Sequence, residues 1–153
     1  MSDPQILASR ILIIDDEPVN VELLEQILQR EGFHQVISTT EPDRALEIYR
    51  ALQPQLVLMD LRMPRVDGFS LLTAFAEHRP VDQFVPVVIL TADVTREARH
   101  RALALGATDF LTKPLDTVEV VLRLWNLLET SVLYRRLQAL QPSVQILARP
   151  QLD

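Results

Sequence analysis

A chain of 153 residues, 48% hydrophobic and 24% charged, has the size and balance of one globular domain with a real core. A net charge of −6 argues against non-specific nucleic-acid binding, because no basic surplus exists to neutralise phosphates. Cysteine is absent, which excludes disulfides, thiol chemistry and cysteine-based zinc sites. No apolar run approaches the roughly 20 residues of a membrane span. The N-terminus, MSDPQILASR, lacks the basic and apolar regions of a secretory signal, so the expected location is cytoplasmic.

In chain order, strand and helix alternate five times. RILIID (10–15) is short and solidly apolar, as in a strand buried on both faces. Residues 18–32 carry a helical stripe, Val21, Leu24, Ile27 and Leu28, that stops at Gly32. HQVIST (34–39) reads as a strand, and 42–52 as a helix with Pro42 in its first turn. QLVLMD (55–60) is a second buried strand ending on an acid, followed by a helix over 67–79. VPVVILTA (85–92) ends on a hydroxyl residue, and 95–106 is an Arg-rich amphipathic helix closed by Gly106. TDFLTKP (108–114) is a short strand, and a long helical pattern runs from Asp116 to about Leu140. Apolar strands each followed by a helix imply a parallel sheet covered on both faces, a doubly wound α/β domain. Glycine occurs only at 32, 68 and 106, so neither a dinucleotide fingerprint nor a P-loop can exist.

Ligands of open parallel sheets bind outside the C-terminal strand ends. That rim collects Asp15, Asp16 and Glu17 after the first strand, Asp60 after the third, Thr91 after the fourth, and Thr112, Lys113 and Pro114 after the fifth. Lys113 is the single lysine among fifteen Lys and Arg residues, which suits a site that needs a compact cation and refuses a broad guanidinium. Clustered carboxylates repel unless a cation compensates, and an all-oxygen donor set fits Mg²⁺ best. A hard cation, a carboxylate, a hydroxyl and an ammonium together suit a phosphoryl group, and the carboxylate can itself become an acyl phosphate. His34, His78 and His100 have no metal spacing; Met59 and Met63 read as core or turn residues, and Trp125 as a packing anchor.

ILIIDDEPVN, LVLMDLRMPRVDGF, VVILTA and GATDFLTKP resemble the receiver domain of bacterial two-component response regulators over about residues 10–128. The resemblance implies a flavodoxin-like (βα)5 sandwich with a five-stranded parallel sheet in the order 2-1-3-4-5 and an extended last helix. It implies that Asp60 is the phosphoacceptor for a sensor histidine kinase or phosphotransfer protein. Mg²⁺ would be held by Asp16, Asp60 and the backbone carbonyl of Arg62, with Asp15 acting through water. Lys113 would pair with Asp60 and then with the phosphoryl group, ahead of a cis Pro114. Thr91 and Phe110 would be the switch pair, and Arg62 and Asp93 would tune the phosphoryl lifetime. The module would catalyse only its own phosphorylation and slow dephosphorylation.

The expected receiver spans 8–128, and 129–153 would be a helical extension and tail. Leu133, Leu137, Leu140, Val144 and Leu147 have heptad-like spacing, although Pro142 interrupts it. We therefore expect a last helix that overshoots the domain and pairs with a second copy. The face formed by residues 94–140 (the helix over 95–106, the fifth strand and the last helix) is the expected readout and the other dimer surface. Residues 125–140 are similar to linkers leading into output domains, and no output domain is expected within this chain. Two other classes compete. A Mg²⁺-dependent aspartyl phosphatase would have an acid two residues after its nucleophile, where Arg62 stands. A pseudo-receiver acting only in assembly would lack an acid, the threonine or the lysine, and none is missing.

Overall fold

The structure is a computed structural model that describes residues 3–92, 95–144 and 146. Its centre is a parallel sheet of β1 (Arg10–Ile14), β2 (Gln35–Thr39), β3 (Leu56–Asp60), β4 (Val87–Thr91) and β5 (Asp109–Thr112), in the order β2-β1-β3-β4-β5. Side chains alternate across a strand, so each apolar run feeds two cores. Ile11, Ile13, Leu56, Leu58, Val88, Leu90 and Leu111 face one way and pack on α2 (Pro18–Arg30) and α6 (Thr117–Leu140). Leu12, Ile14, Val57, Met59, Ile89 and Phe110 face the other way, onto α3 (Ala45–Leu52), α4 (Gly68–His78) and α5 (Arg96–Leu105). Helices therefore cover both faces, as a parallel sheet requires.

Helix starts are set locally. Asp67, Thr95 and Asp116 are N-caps whose side-chain oxygens accept from Phe69 N, Ala98 N and Glu119 N, each at 3.1 Å. Two glycines are required by geometry. Gly106 ends α5 with φ of +123°, a conformation that costs other residues strain. Gly68 opens α4 so close to the preceding loop that a β-carbon would sit 2.5 Å from the Leu61 carbonyl oxygen.

Several details differ from the sequence expectation. Residues 42–44 form a 3-10 turn before α3 rather than the first turn of one helix. A short N-terminal helix, α1 (Pro4–Leu7), was not expected; Asp3 caps it and Pro4 occupies its first turn. Buried Ile6 and Val132 lie on either side of the 8–128 stretch, and both belong to the core. The last helix does overshoot, and its extension is braced on two sides. Arg136 donates to Asp3 Oδ2 at 3.1 Å and to Gln5 Oε1 at 2.9 Å. On the other flank, Ser131 Oγ donates to the Phe84 carbonyl at 3.2 Å, and the rings of Tyr134 and Phe84 lie 6.1 Å apart.

The heptad seam is shorter than its spacing implied. The helix ends at Leu140, with Gln141 in extended backbone just ahead of Pro142, so Val144 is off the helix. Ile146 shares a cavity lining with Phe84 and Tyr134, so the chain returns toward the domain. Leu147 lies outside the described residues. Leu133, Leu137 and Leu140 remain exposed on α6, at 54%, 47% and 86%.

Candidate functional site: a carboxylate rim closed by one lysine

Sheet register brings the rim together. Ile14 pairs with Met59, so Asp15 and Asp60 follow at one level on neighbouring strands. Asp60 pairs with Leu90, which places Thr91 one residue beyond, and Thr91 pairs with Thr112. The Lys113 amide then donates to the Thr91 carbonyl at 2.8 Å, and the Lys113–Pro114 peptide is cis.

The lysine crosses the rim. Lys113 Nζ donates to Asp60 Oδ2 at 2.9 Å and to Asp15 Oδ2 at 3.1 Å. Each carboxylate accepts a second bond through its other oxygen: Asp15 Oδ1 from Glu17 N and Asp60 Oδ1 from Arg62 N, both at 3.0 Å. Asp15, Asp60 and Thr91 are buried, and the lysine side chain is only 15% exposed. These are charge-assisted bonds in a poorly solvated place, where they are strongest. Burial raises the Asp15 pKa more than its bonds to Glu17 N and Lys113 lower it, and the Asp60 charge adds to the rise. For Lys113, burial acts downward, but the bonds to Asp60 and Asp15 and their charges outweigh it and raise its pKa.

Asp16 completes a triad. One carboxylate oxygen from each of Asp15, Asp16 and Asp60 can lie within 4.8 Å of the others. All three donors are hard oxygens, two of them buried, and a single ammonium opposes them. That deficit of positive charge fits a divalent Mg²⁺.

Of the remaining expected residues, Phe110 is buried in the α3–α5 core, with the Arg99 guanidinium 4.7 Å above its ring. Arg62 is exposed, and an isolated bridge joins it to Asp67. Asp93 lies outside the described residues. Sequence reasoning missed the direct Asp15–Lys113 pair, which depends on the register that sets Asp15 and Asp60 at one level. It also missed Arg123, which grips both Asp109 oxygens at 2.9 and 2.8 Å and ties α6 to β5. Among the described residues, no helix is long and apolar enough to cross a membrane.

Comparison with known proteins agrees with this geometry. The family model for the response regulator receiver domain matches residues 11–124. The response regulator PleD of Caulobacter vibrioides is 36% identical over 121 residues, covering 79% of this chain and 26% of PleD. The probable transcriptional regulatory protein TcrX of Mycobacterium tuberculosis is 34% identical over 118 residues, covering 77% of this chain and 49% of TcrX. Among solved structures, NtrX of Brucella abortus superposes with a TM-score of 0.78 at 30% identity, over 94% of this chain and 32% of that one. The chain thus spans about a quarter of PleD and a third of NtrX. With a matching family model, a shared fold and the aspartate cluster where receivers generally bind Mg²⁺, this chain belongs to the response regulator receiver domains of two-component systems.

Proposed function

We propose that Asp60 accepts a phosphoryl group from a phosphohistidine of a sensor kinase or phosphotransfer protein, and that the acyl phosphate switches the face built from α5, β5 and α6. The observation that carries this reading is the Lys113 ammonium held between two buried carboxylates at the sheet's C-terminal rim. An Asp60 oxygen attacks phosphorus; the O–P bond forms as the P–N bond breaks, and the imidazole leaves with the electron pair. Lys113 holds the Asp60 carboxylate in place before transfer and faces the phosphoryl oxygens afterwards. Asp16, Asp60 and the Arg62 carbonyl would hold Mg²⁺, with Asp15 reaching it through water. Bound there, the ion would supply charge neutralisation at the phosphoryl oxygens.

In this reading Thr91 turns its hydroxyl to the new phosphoryl group, and Phe110 follows into the space released. Arg62 and Asp93 tune the phosphoryl lifetime by slowing the water that hydrolyses the acyl phosphate. The domain works as a signalling module in the cytoplasm, with no turnover on other substrates. Output passes through a second copy, met along Leu133, Leu137 and Leu140 or across the α5–β5–α6 face, or through an output domain beyond this chain. Phosphoramidate, whose P–N bond resembles that of phosphohistidine, supplies the test. With Mg²⁺ it should yield a hydroxylamine-labile phosphoprotein, and Asp60→Asn should abolish the label. Label retained in Asp60→Asn would place the phosphoryl group elsewhere and overturn the assignment.

A further inference from the structure

Little apolar burial holds α5 to the domain. The helices α2 and α4 each bury four residues, whereas α5 buries only Ala102. Two arginines add to that hold by stacking on rings. The Arg101 guanidinium carbon lies 4.0 Å from the ring centroid of Phe69, in the first turn of α4. The Arg99 guanidinium carbon lies 4.7 Å from that of Phe110, in β5. Both are within the roughly 6 Å over which a cation is drawn to an aromatic face.

Position sets Arg99 apart from an ordinary solvated arginine. It precedes Ala102 by three residues and so shares the inward stripe of α5, where an apolar residue would be expected. Arg99 is exposed and Phe110 only 6% exposed, so the guanidinium covers the ring from the solvent side. Among the described residues Arg99 forms no ion pair that would draw it elsewhere. The strand beneath leads to the rim. Phe110 pairs with Ile89 and Thr112 with Thr91, and alternation puts Thr91 on the same face of the sheet as Ile89 and Phe110. Thr91 and Phe110 therefore lie in one layer on the α3–α5 side, and Arg99 is where that layer meets α5.

We propose that Arg99 is a positioning residue that joins the Phe110 ring to α5, so that ring and helix move as one unit when Asp60 is phosphorylated. The inference rests on the reading of Asp60 and Phe110 given above, and its test separates the two. The measurement is amide hydrogen exchange over residues 96–105 of the full chain. An exposed cation–π contact shifts an opening equilibrium about two- to fivefold. In the metal-free chain Arg99→Gln should therefore speed exchange by that factor, and Arg99→Lys, which keeps a cation, should restore most of the protection. In a Phe110→Leu background, where no ring remains, Arg99→Gln should add nothing. With acetyl phosphate and Mg²⁺, Arg99→Gln phosphorylated to the same extent by intact mass should lose at least half of the exchange response that wild type shows in α5. Arg101→Gln, which loosens α5 from Phe69 but spares Arg99, should keep that response. Unchanged exchange in metal-free Arg99→Gln overturns the proposal, as does an effect that persists without the ring or a full response in the phosphorylated variant. A wild type that takes up no phosphoryl group, or whose α5 ignores it, fails the reading of the site instead. The metal-free comparison then decides by itself whether Arg99 holds ring and helix together.

Discussion

Replacing Asp15 with asparagine should stabilise the metal-free protein and destabilise its advantage in Mg²⁺. The Lys113 ammonium lies 3.1 Å from Asp15, worth about 5 kcal/mol of attraction at an effective dielectric constant of 20. Asp60, within 4.8 Å, opposes this with about 3.5 kcal/mol on the same scale, and partly exposed Asp16 adds a screened repulsion of roughly 1–2 kcal/mol. Those Coulomb contributions nearly cancel. What remains is the desolvation of a carboxylate with no exposed surface, several kcal/mol in a real protein. The bond from Glu17 N survives, because an asparagine oxygen can accept it. Asp15→Asn should therefore gain about 1–3 kcal/mol in EDTA at pH 7, or about 3–10 °C in Tm for a chain of this size. The pH dependence has a definite sign. A carboxyl whose folded pKa is raised contributes stability that is full below its unfolded value, about 3.9, and is lost as pH rises through the folded value. The gap between variant and wild type should thus close on acidification. In Mg²⁺ at a hundredfold excess over Kd the wild type gains about 2.7 kcal/mol, and the variant should gain much less. Urea melts in EDTA and in Mg²⁺ give both numbers. A variant less stable than wild type by more than about 1 kcal/mol in EDTA would refute the balance drawn from these distances.

Three further substitutions probe how the scaffold holds the rim. Gly68→Ala places a methyl 2.5 Å from the Leu61 carbonyl oxygen, which is backbone and cannot turn aside; a loss of about 1–3 kcal/mol is expected in urea melts, with slower phosphorylation because Leu61 adjoins Asp60. Lys113→Arg should keep the fold by circular dichroism but slow phosphorylation at least tenfold, about 1.4 kcal/mol of barrier, since a planar fork replaces a point charge between two buried acids. Ser131→Ala leaves the Phe84 carbonyl without its side-chain donor and should cost about 1 kcal/mol, with faster amide exchange confined to the α6 extension.

The parallel sheet and the contents of the rim were legible because both depend on short-range patterns, whereas the strand order β2-β1-β3-β4-β5 came from the family resemblance. Apolar runs without alternation mark strands buried on two faces, and the residue after each run is fixed at the rim by chain direction alone. Lys113 stood out because arginine fills every other cationic position. What the pattern could not reveal was register. Only the Ile14–Met59 pairing puts Asp15 beside Asp60 and lets one ammonium reach both. The short α1 had a local signal, Asp3 followed by Pro4, but four residues are too few for periodicity to register. Past Leu128 the spacing of leucines favoured a continuing seam, and Pro142 with the contacts of the 80–85 loop decided otherwise. Arg135 illustrates the same limit: in sequence it is one of two adjacent arginines, and only the fold separates Arg136, paired with Asp3, from a half-buried neighbour whose Nε and Nη2 have no hydrogen-bond partner among the described residues.

Asp60 as phosphoacceptor, made Mg²⁺-dependent by the acid cluster, is open to a single measurement. Intact mass after incubation with acetyl phosphate, with and without Mg²⁺ and beside Asp60→Asn, tests it most directly. The expected result is a single phosphoryl adduct that requires Mg²⁺ and is absent from the variant. A wild-type chain that takes up no phosphoryl group under these conditions, or an adduct that persists in Asp60→Asn, would contradict the account.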